Sequence, residues 1–194
     1  MNRADIAGVI LAAGASSRMG QPKALLEYEG ESFVARMVRI LGSVCGQVIV
    51  VLGYDAERVR AAAPAGATIV VNPEPERGML SSLQCGLREA GGAHAVMFLP
   101  VDYGALRIDT VTRVAAEAGV AQVVAPIYEG RHGHPVCIAR AVVDELLAVP
   151  ATAQARDVIR RHREATRFIE VDDTGAVNDI DTPEDYRALV ERAR

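Results

Sequence analysis

Residues 11–23, LAAGASSRMGQPK, combine small residues, glycines and two cations in one connecting segment. Gly14 and its small neighbours let backbone N–H groups approach a phosphate closely, because little side chain stands in the way. Arg18 can bind two phosphate oxygens at once, and Lys23 adds a compact charge after Pro22. The spacing fits neither GxGxxG nor GxxxxGK[ST], although the physical ingredients are the same. The segment therefore predicts a phosphate-binding loop; the alternative is a glycine-rich surface turn with two solvated cations.

Three carboxylates are candidates to hold Mg2+ beside such a phosphate. Asp102 follows the apolar run Ala95–Leu99, at the carboxyl end of a strand, where open α/β sheets bind ligands. Asp179 and Asp181 point to one face of an extended backbone. Mg2+ is usually held by one or two carboxylates together with substrate phosphates. We expect Asp102 to be one metal ligand, although Asp also occurs often in turns for structural reasons. As the second ligand we prefer Asp179 to Asp181.

The residues after Asp181 have a local structural explanation. Thr182 suits a helix N-cap, Pro183 suits the first helical position, and Asp185 stands where a capping box places an acid. Asp181 can also help this cap, which is the reason for ranking it second as a metal ligand.

Short runs rich in Val and Ile, nearly continuous rather than alternating, indicate strands buried on both faces of a mostly parallel sheet. They are Ile6–Leu11, Val48–Leu52, Thr68–Val71, Ala95–Leu99 and Val123–Ile127, with further strands expected at Gly133–Ile138 and Phe168–Val171. Apolar residues at helical spacing lie between them and predict βαβ units. The expected helices are Phe33–Leu41, Leu80–Ala90, one through Val111, Val114 and Ala118, Ala141–Val149, Ala153–His162 and Pro183–Arg194. We therefore expect a single three-layer α/β domain over residues 1–194.

Composition narrows the class of protein. The 194 residues are 50% hydrophobic and 24% charged, with a net charge of −4, which excludes a disordered chain and argues against nucleic-acid binding by bulk electrostatics. The three cysteines are isolated and indicate reduced thiols. The N-terminal apolar stretch is short for a secretory signal, and no run approaches the roughly 20 residues of a membrane span. We expect a soluble cytoplasmic protein with no nucleic-acid or membrane partner.

The opening segment resembles the signature L-A-A-G-x-S-x-R-M-G-x-P-K of the MobA/MocA-like NTP transferases, which activate molybdenum cofactor. Three further blocks resemble that family in the same order: Asn72 with Arg77–Leu83, Gly133–Pro135 and Asp179–Tyr186. The resemblance implies a Rossmann-like, mostly parallel mixed sheet of the nucleotide-diphospho-sugar transferase type. It also implies the residues that contact the nucleotide: Leu11, Ala12, Ala13, Gly14, Asn72, Gly78 and Ser82.

Two segments depart from the family pattern. Asp102 occupies the metal-binding position of the family's G-D-x-P block, but here the block reads Val101-Asp102-Tyr103-Gly104. Gly104 lacks the fixed φ of proline, so we expect a looser loop. Where the family carries Gly-Asp-x-Gly-Ala-Arg, the stretch Ala151–Arg156 keeps only its end.

His134 and Arg156 are the two residues that we expect to bind the second substrate. For each of them a purely structural explanation is also available. The resemblance places the Gly-His-Pro block containing His134 near the pterin; a zinc site with His132 and Cys137 lacks a fourth ligand. Arg156, Arg160, Arg163 and Arg167 form one basic face if a single helix carries them, although a solvated charged face explains such spacing more often. Gly78 and Ser82 fit a helix N-terminus facing a base or phosphate, or ordinary capping by Ser81 or Ser82.

These observations predict a Mg2+-dependent nucleotidylyltransferase that uses Arg18, Lys23 and Asp102 in catalysis. In the family the form L-A-A-G accompanies CTP and L-A-G-G accompanies GTP, so Ala13 favours CTP, with molybdopterin as acceptor and a molybdenum hydroxylase as partner. The alternatives are another phosphorylated acceptor, or a non-catalytic accessory protein that binds the cofactor for such a hydroxylase.

Overall fold

The computed structural model describes residues 2–192, and a mixed eight-stranded sheet lies at its centre. The strands are β1 (Ile6–Ala12), β2 (Glu27–Tyr28), β3 (Glu31–Ser32), β4 (Gln47–Leu52), β5 (Thr68–Val71), β6 (Ala95–Pro100), β7 (Val123–Tyr128), β8 (Arg131–His132), β9 (Val136–Ala139) and β10 (Thr166–Glu170). Seven of them follow the order β10-β7-β9-β6-β1-β4-β5, and β8 pairs with β7. β9 runs antiparallel to β6 and β7, whereas the other neighbours in this order are parallel. The strands β2 and β3 form a separate hairpin.

Helices cover both faces of the sheet. They are α1 (Phe33–Gly42), α2 (Ala56–Ala62), α3 (Met79–Glu89), α4 (Ile108–Ala116), α5 (Arg140–Ala148), α6 (Ala155–Arg161) and α7 (Pro183–Arg192). The apolar residues of α1 and α4 belong to one buried cluster, and those of α3, α5 and α6 to another. The result is the expected three-layer arrangement.

Strand β1 shows why its sequence is continuously apolar. All seven of its residues are buried. Ile6 and Ile10 pack into the cluster that contains α1, while Ala7, Val9 and Leu11 pack into the cluster that contains α3. Successive strand side chains point to opposite faces, so a strand covered on both sides must be apolar at every position.

The structure confirms the fold class but moves several boundaries. β9 begins at Val136 rather than Gly133, so the Gly-His-Pro block precedes the strand. The helix expected over Ala153–His162 is the shorter Ala155–Arg161. α2 and the hairpin of β2 and β3 were not expected, because short elements leave little periodicity in the sequence.

Backbone hydrogen bonds bring three distant segments to one edge of the sheet. Val101 N–H donates to the carbonyl of Leu11 at 3.0 Å, which joins the end of β6 to the end of β1. Ile180 N–H donates to the carbonyl of Asp102 at 3.0 Å. The loop after β1, Asp102 and the Asp179–Asp181 stretch therefore meet where the parallel strands end.

The expected capping box fixes the start of α7, directly after Asp181. Thr182 Oγ1 accepts a hydrogen bond from Asp185 N–H at 3.2 Å, and Asp185 Oδ2 accepts one from Thr182 N–H at 2.8 Å. These reciprocal bonds satisfy backbone donors at the helix end. They hold Asp181 beside the sheet edge.

Within residues 2–192, the helices are all too short or too polar to cross a lipid bilayer.

Candidate active site

The loop after β1 forms one wall of a cavity of about 380 Å3. It bends at Ser16 and Gly20, whose φ angles are 50° and 72°. Ser16 closes the bend, since its carbonyl accepts from Met19 N–H at 2.9 Å and its hydroxyl accepts from Lys23 N–H at 3.1 Å. A Cβ on Gly14 would meet no described heavy atom within 4 Å. Ser16 and Gly20 therefore make the turn, and Gly14 stands open to the cavity.

Two cations of this loop meet two carboxylates of other segments. Lys23 Nζ donates to Asp102 Oδ2 at 2.9 Å and also to Asp181 Oδ1. Arg18 Nη2 lies 2.7 Å from Asp181 Oδ2. The Lys23 side chain is 13% exposed and that of Arg18 is 67% exposed. Lys23 is thus seated between the carboxylates, whereas Arg18 reaches in from the cavity rim.

Burial and pairing shift the pKa values of these groups. Burial raises the pKa of Asp102, against the opposing effect of Lys23. Burial alone would lower the pKa of Lys23, but its hydrogen bonds and charge interactions with Asp181 and Asp102 raise it. The hydrogen bond from Lys23 lowers the pKa of Asp181. At neutral pH Lys23 therefore carries a positive charge that balances the neighbouring carboxylates.

The carboxylates suit a divalent cation. Asp102, Asp179 and Asp181 each offer an oxygen within 4.8 Å of the others. Asp102 Oδ1 is buried and has no hydrogen-bond partner among the described residues. Hard oxygen ligands are those that Mg2+ prefers, and a buried unpaired carboxylate oxygen is costly unless something binds it. The donor set and the unpaired oxygen both fit a site for a divalent cation.

The two later aspartates differ in position. Asp181 lines the cavity and binds both Lys23 and Arg18. Asp179 belongs to the carboxylate group but is exposed and does not line that cavity. The geometry thus gives Asp181 the more direct access to a ligand, contrary to the order preferred from sequence.

Asn72 lies behind the opposite wall rather than in it. Its side chain is buried, and its amide donates to Ser81 Oγ at 2.8 Å and to Ser82 Oγ at 3.0 Å. Its carbonyl oxygen accepts from Glu74 N–H at 3.0 Å. Asn72 thereby ties the end of β5 to the start of α3, where Gly78 and Ser82 line the cavity.

The segment Val101–Gly104 is packed and hydrogen-bonded, although its lost proline led us to expect a looser loop. Val101 is buried, and both Val101 and Asp102 take part in the backbone bonds described above. A Cβ on Gly104 would lie 2.4 Å from atoms of the Phe33 ring. The glycine is required because the loop packs directly on that ring.

A second cavity of about 730 Å3 adjoins the first, and Gly78 and Met79 line both. His134 lines the second cavity, with its ring 4.7 Å from that of Tyr103. The residue is partly exposed, but Nδ1 is buried and has no hydrogen-bond partner within residues 2–192. Burial lowers the pKa of His134 to about 4, so this imidazole is neutral at physiological pH.

The four arginines that would share one helical face if a single helix carried them are divided among three elements. Arg156 and Arg160 lie on α6, Arg163 lies in a 3-10 turn after it, and Arg167 lies on β10. The first three line the second cavity, whereas Arg167 pairs with Glu117 at 2.7 Å. The condition for one helical basic face is therefore not met, although three of the four arginines still line one cavity.

Sequence reasoning missed several lining residues. Tyr54 and Pro75 line the first cavity, and Arg77 and Phe168 line the second. Tyr54 follows the end of β4, which is a position where ligands bind in such sheets. The rule that ligands bind at the carboxyl ends of strands could have identified Tyr54 from the sequence. Pro75, Arg77 and Phe168 line the cavities because of how distant segments fold together.

Comparison with known proteins places this geometry in context. Residues 8–166 match the MobA-like NTP transferase domain. Molybdenum cofactor cytidylyltransferase of Escherichia coli K12 is 26% identical over 95% of each chain. Nicotine blue oxidoreductase of Paenarthrobacter nicotinovorans is 32% identical over 95% of this chain and 96% of its own.

Solved structures show the same architecture. Rv0371c of Mycobacterium tuberculosis H37Rv superposes with a TM-score of 0.86 at 30% identity, covering 98% of this chain and 100% of its own. A crystal structure of Rv0371c in complex with manganese gives a TM-score of 0.81 at 28% identity, over 96% of this chain and 98% of that one. These neighbours support the expected sheet of the nucleotide-diphospho-sugar transferase type.

Proposed function

Because the chain belongs to the MobA-like NTP transferase family, and is therefore a nucleotidyltransferase, we propose that it transfers CMP from CTP to molybdopterin with the help of Mg2+. The observation that carries the proposal is the cluster of Lys23, Arg18, Asp102 and Asp181 at the phosphate-binding loop. A second cavity of a size suited to an acceptor lies directly beside it.

The reaction needs little covalent work from the protein. A phosphate oxygen of the acceptor attacks the α-phosphorus of CTP and forms a new P–O bond. The bond from the α-phosphorus to the oxygen that bridges to the β-phosphate breaks, and pyrophosphate leaves with that electron pair. Catalysis then consists of positioning and charge neutralisation.

Each side chain has a role that follows from its place. Gly14 and its neighbours bring backbone N–H groups to the triphosphate, and Arg18 and Lys23 neutralise the phosphates and the departing pyrophosphate. Asp102 and Asp181 would hold Mg2+, with Asp179 within reach of the same ion. The bound ion would supply a Lewis acid for the phosphate oxygens.

The preference for CTP rests on the loop and on a named relative. Ala13 lines the first cavity, and its methyl group packs against Gly53, where a Cβ would lie 2.9 Å away. Ala13 is therefore held in place at the wall, and the proposal assigns its methyl group the role of disfavouring the larger purine base. The Escherichia coli relative bears the name molybdenum cofactor cytidylyltransferase. The family resemblance further implies a molybdenum hydroxylase as the protein partner that uses the product.

Calorimetric titration with CTP, GTP and ATP, with and without Mg2+, tests the nucleotide and the metal together. We expect Mg2+-dependent binding that favours CTP, and a strong loss of it in Asp102→Asn. Asp109→Asn is the matched control, because Asp109 is exposed on α4 and does not line the first cavity. Release of pyrophosphate in the presence of molybdopterin then tests the acceptor.

Each other outcome selects a different function. Tight GTP binding would overturn the nucleotide but keep the reaction. CTP binding without pyrophosphate release from molybdopterin would indicate another phosphorylated acceptor. No triphosphate binding would favour the accessory-protein alternative.

A further inference from the structure

The second cavity carries a strong local charge of one sign. Arg77, Arg156, Arg160 and Arg163 line it, and no aspartate or glutamate does so among residues 2–192. The chain as a whole has a net charge of −4. A concentration of arginines without acids, in an acidic protein, creates a local attraction for anions.

Three of these arginines lack ionic partners inside the protein. In the described part of the chain, Arg156, Arg160 and Arg163 have no carboxylate within 4.0 Å, whereas Arg77 pairs with Glu74. Their neighbour Arg161, on the same helix, faces away from the cavity and pairs with Glu145 at 3.5 Å. The guanidinium groups of Arg156, Arg160 and Arg163 are therefore still available to a ligand.

Another part of the wall of the second cavity is aromatic and apolar and suits a planar ring system. The rings of His132 and Phe168 lie parallel, with an interplanar angle of 17° and centroids 4.4 Å apart, and both line the cavity. Phe168 is 37% exposed, a large value for phenylalanine. Val123 and Ala125 of β7 line it as well. A planar ring system can stack on such an aromatic surface while its edge remains open to polar groups.

The arginines lie apart from the reacting groups. Arg18, Lys23 and Asp102 line the first cavity and not the second, whereas the three unpaired arginines line the second and not the first. An acceptor whose phosphate attacks beside Asp102 must therefore pass Gly78 and Met79, where the cavities join. Its attacking phosphate then lies in the first cavity, whereas these arginines line the second.

We propose that Arg156, Arg160 and Arg163 bind a second anionic group of the acceptor, distinct from the phosphate that reacts, while its planar portion stacks on Phe168. The acceptor class is thus a flat heteroaromatic compound with two separated anionic groups. Arg160 and Arg163 are specificity-determining residues in this arrangement. The inference rests on the proposed function for the identity of the reacting phosphate, but the anion site itself depends only on the second cavity.

Pterin-6-carboxylate is a suitable probe, because it has a fluorescent flat ring and one carboxylate but no phosphate that could react. Fluorescence titration should show binding that weakens about tenfold or more in Arg160→Ala and in Arg163→Ala, as expected for loss of a charge-assisted hydrogen bond. Arg161→Ala should bind like the wild type. Saturating CTP with Mg2+ should not displace the probe, and added salt should weaken its binding.

The outcomes separate this inference from the proposed function. Absence of probe binding, equal binding by the Arg160 and Arg163 variants, or displacement by CTP would overturn the anion site. If the probe binds as expected but molybdopterin gives no pyrophosphate, the anion site stands and the proposed acceptor is wrong. If molybdopterin reacts with unchanged KM in Arg160→Ala and Arg163→Ala, the proposed function stands and the inference is wrong.

Discussion

Lys23→Met removes the ammonium group from between the carboxylates and keeps an unbranched side chain in its place. Lys23 Nζ binds Asp102 Oδ2 at 2.9 Å and also binds Asp181, with side-chain exposures of 13%, 19% and 30% for the three residues. Loss of one partner costs about 3–5 kcal/mol in a buried ion pair and about 0–1 kcal/mol in an exposed one. This partly buried cluster lies between the two, so we expect a loss of about 2 kcal/mol.

Thermal unfolding measures that loss. For a chain of 194 residues, each kcal/mol corresponds to roughly 2–4 °C in Tm. The variant should therefore unfold about 4–8 °C below the wild type when no divalent ion is present. The physical reason is mutual repulsion of the carboxylates, which lie within 4.8 Å of one another and lose the charge that separates them.

In a second measurement, Mg2+ should bind more tightly to the less stable Lys23→Met variant than to the wild type. In the wild type the ion must displace Lys23 from Asp102 and Asp181, whereas in Lys23→Met Asp102 has lost that partner and Asp181 keeps only Arg18. We expect calorimetric titration with Mg2+ alone to show about tenfold tighter binding by the variant, equivalent to about 1.4 kcal/mol. Added Mg2+ should also raise the Tm of the variant more than that of the wild type.

Arg39→Met is the matched control. Arg39 pairs with Glu31 at 2.6 Å, but the two side chains are 51% and 33% exposed, so its loss should cost no more than about 1 kcal/mol and leave Mg2+ binding unchanged. If Lys23→Met behaves like Arg39→Met in both assays, the ammonium is not seated between the carboxylates in solution, and the reasoning fails.

Three further predictions concern other parts of the fold. Burial lowers the pKa of His134 to about 4, below its unfolded value of about 6.5, so its contribution to stability is complete above pH 6.5 and is lost as pH falls towards 4. His134→Gln should remove up to about 3 kcal/mol of that pH dependence in urea unfolding; an unchanged slope would contradict the assignment. Gly133→Ala should cost about 2–3 kcal/mol, because its Cβ would lie 2.3 Å from the carbonyl oxygen of Ala176. Gly92→Ala, where a Cβ meets no described atom within 4 Å, should stay within about 0.5 kcal/mol in the same chemical denaturation. Asn72→Leu leaves the hydroxyls of Ser81 and Ser82 without the amide donor and should cost about 1–3 kcal/mol while weakening CTP binding several-fold in calorimetry. Unchanged CTP affinity would show that the wall needs no such support.

Sequence patterns were most informative where the cause is local. The apolar runs identify the buried strands because both faces of the sheet are covered, and the capping box at Thr182 and Asp185 was readable because its bonds join residues three apart. The resemblance of the opening segment likewise identified the family. The failures have local causes too, since α2 is only seven residues long and β9 is only four.

Long-range pairing lay beyond the sequence. Nothing local indicates that Lys23 meets Asp102, 79 residues away, and Asp181, 158 residues away, because that meeting depends on β1, β6 and the stretch before α7 ending at one edge. The same holds for Gly104, whose need for glycine comes from the Phe33 ring. The sequence by itself determined the class of fold, the family and the residue types available for chemistry. Only the tertiary structure decided which charges neutralise one another and which, such as Arg160 and Arg163, remain for a ligand, since ion pairs form between groups that the fold brings within a few ångströms.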